Sequence, residues 1–337
     1  MTAFTRIALA SRPQGVPSPE NFRLEEATLP ELGDGQILVR VLWLSLDPYM
    51  RGRMDDAKSY AKAVALGDTM EGGTVGEVIE SRSDRFVPGD IVVGMGGWAS
   101  HAVLNAAEVR KVDPDIAPVQ TALGILGMPG HTAFVGLNDI LQAEAGETIV
   151  ISAATGAVGT VVGQLAQRKG MRVIGVAGGA EKCAYATQNL GYDICLDHRA
   201  DDLAAQLAAA APDGVHCYYE NVGGKTLEAV LPLMRDFGRI AVCGMIAWYS
   251  GQGIQDALPA PKLWRAILTK RLRAQGFIVF DHNHRYPDFI AEVGPLVGSG
   301  ALHYRETVSE GLASAPEAFL SLLCGGNFGK QLVRVSL

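Results

Sequence analysis

The stretch Ile149-Val150-Ile151-Ser152-Ala153-Ala154-Thr155-Gly156-Ala157-Val158-Gly159 decides the fold. An apolar strand runs into a turn of small residues. A helix follows with Val158, Val161, Val162, Leu165 and Ala166 at helical spacing. Strand, glycine turn and helix together read as the opening of a dinucleotide-binding unit. Its cradle is Ala154, Thr155, Gly156, Ala157, Val158 and Gly159. Gly156 lets the backbone approach a pyrophosphate, and Gly159 lets the helix pack closely on the strand. The N–H groups and positive dipole end of the helix start hold the phosphates. Ala154 stands where the usual pattern has its first glycine, so the turn alone is also compatible with plain helix–strand packing.

Working outward, the next strand, Arg172 to Ala177, ends without the acid that usually holds the ribose hydroxyls of NAD. Gly178-Gly179-Ala180-Glu181-Lys182 follows instead. The glycines leave room at Gly178, and Lys182 brings a positive charge. That pair suits a 2′-phosphate and favours NADP. The alternatives are that Lys182 is a solvated helix lysine and that Glu181 plays the acid's part.

The rest of the chain gives the setting. A length of 337 residues accommodates two cores, and 48% hydrophobic with 19% charged residues excludes a disordered chain. A net charge of −7 without any Lys/Arg-rich block argues against a nucleic-acid partner. No apolar run reaches the ~18 residues that a membrane-spanning helix needs. Met1 to Arg6 runs straight into a strand pattern rather than a signal peptide. The five cysteines are scattered and include no C-x-x-C, as expected of reduced thiols in a cytoplasm.

Residues 1–123 read as short strands broken by turns, a small barrel-like β domain. Residues 124–300 alternate helices and strands, with strands expected at 172–177, 193–197, 215–219, 239–243 and 275–279. Helices are expected at 181–190, 202–211, 225–234 and 263–272. Together with 149–152 this makes a doubly wound parallel sheet. Residues 301–337 return to complete the first domain. The fold class is therefore α/β, a β-rich domain plus a dinucleotide-binding (Rossmann) domain.

A catalytic zinc would need thiolate and imidazole ligands from the β domain. The first 180 residues hold no cysteine and only His101 and His131, so no metal site is expected. His101 reads as structural or surface. Without a metal, an enzyme that adds hydride to an enone must stabilise the enolate another way, and a phenol hydroxyl can do so. Tyr249 lies in the loop after the strand ending at Cys243, at the end of the sheet where such sites form. Tyr49 and Tyr60 are further aromatic candidates. The competing readings are a half-buried packing aromatic for Tyr249, core packing for Tyr49 and a surface loop for Tyr60.

Leu44-Ser45-Leu46-Asp47-Pro48-Tyr49-Met50-Arg51-Gly52-Arg53-Met54 resembles the signature of the zinc-independent medium-chain reductases, in the group of prostaglandin, alkenal and curcumin reductases. Gly127 to Gly130, Ala153 to Gly159, Gly178 to Cys183, Glu220 to Gly224, Cys243 to Ile246 and Gly326 to Lys330 extend the resemblance over nearly the whole chain. It implies a GroES-like β-rich catalytic domain completed by the tail, NADPH as cofactor, and reduction of the carbon–carbon double bond of α,β-unsaturated aldehydes or ketones. By resemblance, Lys182 contacts the 2′-phosphate, and Asn221, Cys243 and Phe277 to Val279 line the cofactor path. Asn327 reaches toward the cofactor from the tail, Tyr249 sits by the nicotinamide ribose and substrate oxygen, and Tyr49 and Tyr60 line the substrate pocket. Relatives are often dimers. His198 stands where many carry a tyrosine beside the 2′-phosphate, with Arg199 adding charge. Trp248 replaces a smaller residue beside Tyr249, and His131 and Phe134 also depart from the pattern. A quinone reductase of the same superfamily and a non-catalytic NADPH-binding sensor are the rival readings.

Overall fold

The computed structural model describes residues 3–336. The chain begins with an antiparallel pair, β1 (Ala3–Leu9) and β2 (Phe22–Thr28). Next come β3 (Gln36–Leu46), the single-turn helix α1 (Met50–Arg53), β4 (Thr74–Ser81), β5 (Ile91–Gly94), β6 (His101–Asn105) and β7 (Arg110–Lys111). β3 starts with buried and half-buried residues in alternation, then is buried throughout from Leu44 to Leu46. A strand covered on both faces loses its alternation.

A run of alternating helices and strands follows: α2 (Met128–Val135), β8 (Thr148–Ser152), α3 (Gly159–Arg168), β9 (Arg172–Ala177), α4 (Ala180–Asn189), β10 (Ile194–Asp197) and α5 (Leu203–Ala210). It continues through β11 (Val215–Glu220), α6 (Gly224–Val230), β12 (Met234–Val242), α7 (Ala260–Lys270), β13 (Arg273–Gly276) and α8 (Tyr286–Gly298). The chain ends with β14 (Glu306–Glu310), α9 (Ala315–Leu323) and β15 (Lys330–Arg334).

The described chain forms two compact units, residues 1–127 with 306–337, and residues 128–305. In the first, the mixed sheet runs β14-β15-β3-β4-β5-β7, with β6 also on β3. Its core holds Phe22 stacked on Trp98 at 5.4 Å between centroids, with Phe319 edge-on to Trp98 at 5.6 Å. The second is a parallel sheet of order β10-β9-β8-β11-β12-β13. All five residues of β8 are buried, as a central parallel strand requires. The order reverses between β8 and β11, which marks the ligand-binding end of such a sheet.

Four expected elements are displaced. The strand expected at 275–279 is β13, which stops at Gly276 because its partner β12 stops at Val242, opposite it. Val279–Arg285 then winds into 3₁₀ turns. The helix expected at 225–234 stops at Val230. Pro232 has no N–H for the helical ladder, and Leu231–Leu233 closes as a 3₁₀ turn. That lets β12 start at Met234, five residues before the expected Arg239. Helix α7 begins at Ala260 rather than Leu263, with Pro261 in its first turn, where a missing N–H costs nothing.

The first unit is closed by a buried ion pair. Lys330, 4% exposed, donates to Asp47 Oδ1 at 3.0 Å, to the Leu46 carbonyl at 2.7 Å and to the Gln331 carbonyl at 3.2 Å. Ser45 donates to the other Asp47 oxygen. Burial lowers the Lys330 pKa, and the Asp47 carboxylate opposes that. Asp47 leads into Tyr49 and α1, so the pair fixes that corner against the returning strand β15. Lys330→Met strands the Asp47 charge and is expected to cost about 3–5 kcal/mol in thermal or denaturant unfolding. The further cost of Asp47→Asn should be smaller in that background than in the wild type; equal costs would mean that the pair is not coupled.

Candidate active site

The cradle turn is shaped by steric contacts. A Cβ on Gly159 would lie 2.3 Å from the Ala153 carbonyl oxygen, so only glycine lets α3 start this close to β8. Ala153 itself holds φ +51°, a left-handed conformation uncommon for alanine. Tyr192 supports the turn from behind. Its buried hydroxyl donates to the carbonyls of Ala154 (3.1 Å) and Gly159 (2.7 Å). Its ring lies where side chains on Gly163 or Gly175 would be. Ala154, Thr155 and Gly159 are buried, while Gly156, Ala157 and Val158 are half-buried on the open side. The turn therefore offers backbone, not side chains, to a ligand.

A cluster of basic side chains gathers at the ends of β9 and β10. A Cβ on Gly178 would stand 2.8 Å from His198 Nε2, and one on Gly179 3.2 Å from Arg199 Nη1. The two glycines are thus the floor beneath an imidazole and a guanidinium. Lys182, in the first turn of α4, is half-buried; burial and the nearby Arg199 charge both push its pKa down. Burial likewise lowers His198. Asp197 accepts the Arg199 N–H at 3.0 Å and is held below the ordinary carboxylate range by that bond first. A dianionic group would relieve the mutual repulsion of Lys182 and Arg199.

On the other side of the switch point, the loops after β11 and β12 interlock. Asn221 Nδ2 donates to the Ser152 carbonyl at 2.8 Å. The phenol oxygen of Tyr249 accepts the Met245 N–H at 3.2 Å. The Trp248 ring covers Gly223, whose φ is +80° and whose Cβ would lie 2.6 Å from the ring. The bulky tryptophan is thus accommodated by a glycine. Cys243 sits beside Tyr219, and burial pushes its thiol up to about 12. Phe277 packs edge-on to Tyr219 at 6.5 Å, and Val279 is buried at 7% exposure.

In the first unit, Tyr49 and Tyr60 meet through a residue that sequence reading did not single out. The Arg53 guanidinium lies 4.4 Å from the Tyr60 ring centroid and 5.4 Å from that of Tyr49. Glu71 fixes it with an ion pair at 2.5 Å. Tyr60 is 56% exposed and lines an open depression with Arg12, Lys58 and Lys62. Burial raises the Tyr49 phenol well above its ordinary pKa, so it stays protonated. Asn327 lies in the loop before β15 and donates to the Gly329 carbonyl at 2.7 Å.

The structure thus brings together the cradle, Gly178, Lys182, His198, Asn221, Cys243, Tyr249, Phe277 and Val279 around one end of the parallel sheet. It brings Tyr49 and Tyr60 together around Arg53, while Asn327 stands near Lys330 in the same unit. Tyr192, Arg53 and Glu220 were missed as individuals, although Arg53 and Glu220 fall within motifs that sequence reading quoted. His131 packs against Tyr286 and Phe289, and His101 bonds the Ser100 hydroxyl. Among the described residues no group of three or more His, Cys, Asp or Glu could hold a metal ion. No described helix is long and apolar enough to cross a membrane.

Known proteins resemble this chain over nearly its whole length. Residues 5–112 match the family described as the N-terminal domain of oxidoreductase, and residues 157–294 match the zinc-binding dehydrogenase family. The chain is 50% identical to an NADPH-dependent curcumin reductase of Escherichia coli, over 98% of this chain and 96% of that one. It is 39% identical to a 2-alkenal reductase (NADP(+)-dependent) of Nicotiana tabacum, over 98% and 97%. The crystal structure of CurA from Vibrio vulnificus in complex with NADPH superposes with a TM-score of 0.93 at 45% identity, covering 99% of each chain.

Proposed function

The chain belongs to the medium-chain dehydrogenase/reductase superfamily, in the group of curcumin, alkenal and prostaglandin reductases, and we propose that it uses NADPH to reduce the carbon–carbon double bond of α,β-unsaturated ketones and aldehydes. The observation that carries the cofactor reading is the Lys182–His198–Arg199 cluster over Gly178 and Gly179. A 2′-phosphate is the group that distinguishes NADPH from NADH, and this cluster has the charge to bind it. The cradle from Ala154 to Gly159 supplies backbone N–H groups to the pyrophosphate. Asn221, Cys243, Phe277 and Val279 flank the path toward the nicotinamide, and Asn327 is the contribution of the tail.

When bound, NADPH supplies the hydride that the β-carbon of the enone receives. The charge that then develops on the carbonyl oxygen needs a donor, and Tyr249 is assigned that role. Its oxygen already accepts a backbone N–H, which strengthens the hydroxyl as a donor and helps it yield a proton. In the first unit, Tyr49 and Tyr60, both held by Arg53, are the aromatic candidates for binding the enone. Positioning and hydrogen bonding do this work without a covalent intermediate.

The same reading includes a homodimer in a reducing cytoplasm, acting on small molecules. Support comes from β13, the last strand of the parallel sheet, with all four residues exposed, and from Trp264 and Leu268 on α7, 67% and 76% exposed. A second copy would cover both. Light scattering of the purified protein is expected to give twice the chain mass, and a monomer at micromolar concentration would refute the dimer.

Oxidation of NADPH in the presence of enals, enones, quinones and saturated aldehydes tests the function. Turnover on enones with a saturated-carbonyl product is expected; turnover on quinones alone, or binding without turnover, would support one of the rivals instead. Tyr249→Phe should lower kcat by about 10- to 100-fold while leaving NADPH affinity within about twofold. Lys182→Ala should weaken NADPH by about tenfold or more and NADH little, since it removes one charge-assisted contact. Equal weakening of both cofactors would overturn the phosphate assignment.

A further inference from the structure

Glu220 closes β11 and is 2% exposed. Three donors converge on one of its oxygens, Oε1: the Ser152 hydroxyl at 2.9 Å, the Val222 N–H at 2.7 Å and the Gly223 N–H at 2.9 Å. Its backbone carbonyl accepts the Cys243 N–H at 2.9 Å and the Gly244 N–H at 3.1 Å. Ser152 Oγ in turn accepts the Asn221 N–H at 2.8 Å. The two loops also lie back to back, with Ile246 N–H donating to the Asn221 carbonyl at 3.3 Å and Ala247 N–H to the Val222 carbonyl at 3.0 Å. One residue therefore joins the end of β8, the loop carrying Asn221 and the loop carrying Tyr249.

Convergence of three donors on one oxygen calls for a carboxylate, whose charge attracts all of them. The other oxygen, Oε2, is buried beside the hydroxyl of Tyr218, two residues back on the same face of β11, a phenol that faces the carboxyl as a donor.

We propose that Glu220 is the positioning residue of the nicotinamide half of the cofactor seat, holding the Asn221 and Tyr249 loops in a single arrangement through Ser152 and the backbone. This rests on the cofactor reading above. The residue touches neither cofactor nor substrate in this account; it acts through the loops. The Lys182 cluster, beyond β9, is outside its hydrogen-bond network, so the adenosine half of the seat stands independently of it.

Full-length Glu220→Gln and Ser152→Ala variants test the inference by calorimetric binding of two ligands, NADPH and 2′,5′-ADP, which carries the phosphate-bearing adenosine half alone. Glu220→Gln keeps the shape and removes the charge. It is expected to weaken NADPH about tenfold and lower kcat on an enone by a similar factor, as for loss of a charge-assisted hydrogen bond. Affinity for 2′,5′-ADP should stay within about twofold of the wild type, and Ser152→Ala should show the same split more weakly. Parallel weakening of both ligands would make Glu220 a general structural residue and overturn the inference. So would unchanged NADPH affinity and turnover in both variants. A wild-type protein that binds neither ligand would instead overturn the cofactor reading.

Discussion

A buried ammonium group joins two pieces of chain 283 residues apart in sequence. Lys330 reaches Asp47 and the Leu46 carbonyl from the first residue of β15, and the sheet of the first unit depends on that junction. Burying an ammonium group is costly unless it is fully coordinated. Lys330 has three oxygen acceptors, and Asp47 is held by Ser45 as well. The pair thus selects one register for β15 on β3, from Gln331 opposite Leu46 to Arg334 opposite Trp43. From that register follow the position of Asp47-Pro48-Tyr49, the start of α1 at Met50 and the place of Arg53. The aromatic pair Tyr49 and Tyr60 is thus set by an interaction in which neither takes part.

The second unit is governed by shape more than charge. Its glycines at 159, 163 and 175 leave space that the Ala153 carbonyl and the Tyr192 ring fill. The Tyr192 hydroxyl then ties both ends of the cradle turn together. The whole protein is acidic, with a net charge of −7, yet Lys182 and Arg199 concentrate positive charge at one end of the sheet, with the His198 imidazole beside them. At ordinary ionic strength, charges farther away than ~8–10 Å are largely screened, so the local cluster decides what binds there. Net charge argues about nucleic acid and solubility; it does not describe a site of this size.

How much of this was legible depended on whether the information was local. The apolar runs that became β8, β9 and β11 are continuous, and the turn glycines sit at fixed offsets from them, so the parallel sheet and its cradle could be read directly. Lys182 could be read because it follows the glycines that make its room. The end of β13 could not, since it is set by where β12 stops on the neighbouring strand. The early stop of α6 had a local signal in Pro232 that the reading of 225–234 as one helix passed over. Besides near neighbours, Tyr192, Arg53 and Glu220 each need a partner 18 to 68 residues away. Nothing in their immediate sequence distinguishes a buttress from a surface tyrosine, arginine or glutamate. The motif resemblance carried Arg53 and Glu220 along without assigning either a task.

The return of the tail into the first sheet also sets an order of events during synthesis. β3 emerges from the ribosome early, but its neighbour β15 ends only at Arg334. The whole of the second unit, residues 128–305, is made in between. At the usual ~5–20 residues per second, the N-terminal strands wait many seconds for their partner, while the nucleotide-binding unit already has its complete sequence. The nascent chain thus carries an open β-sheet edge beside a unit that can finish folding, and it is at this stage that it is most exposed to edge-to-edge association.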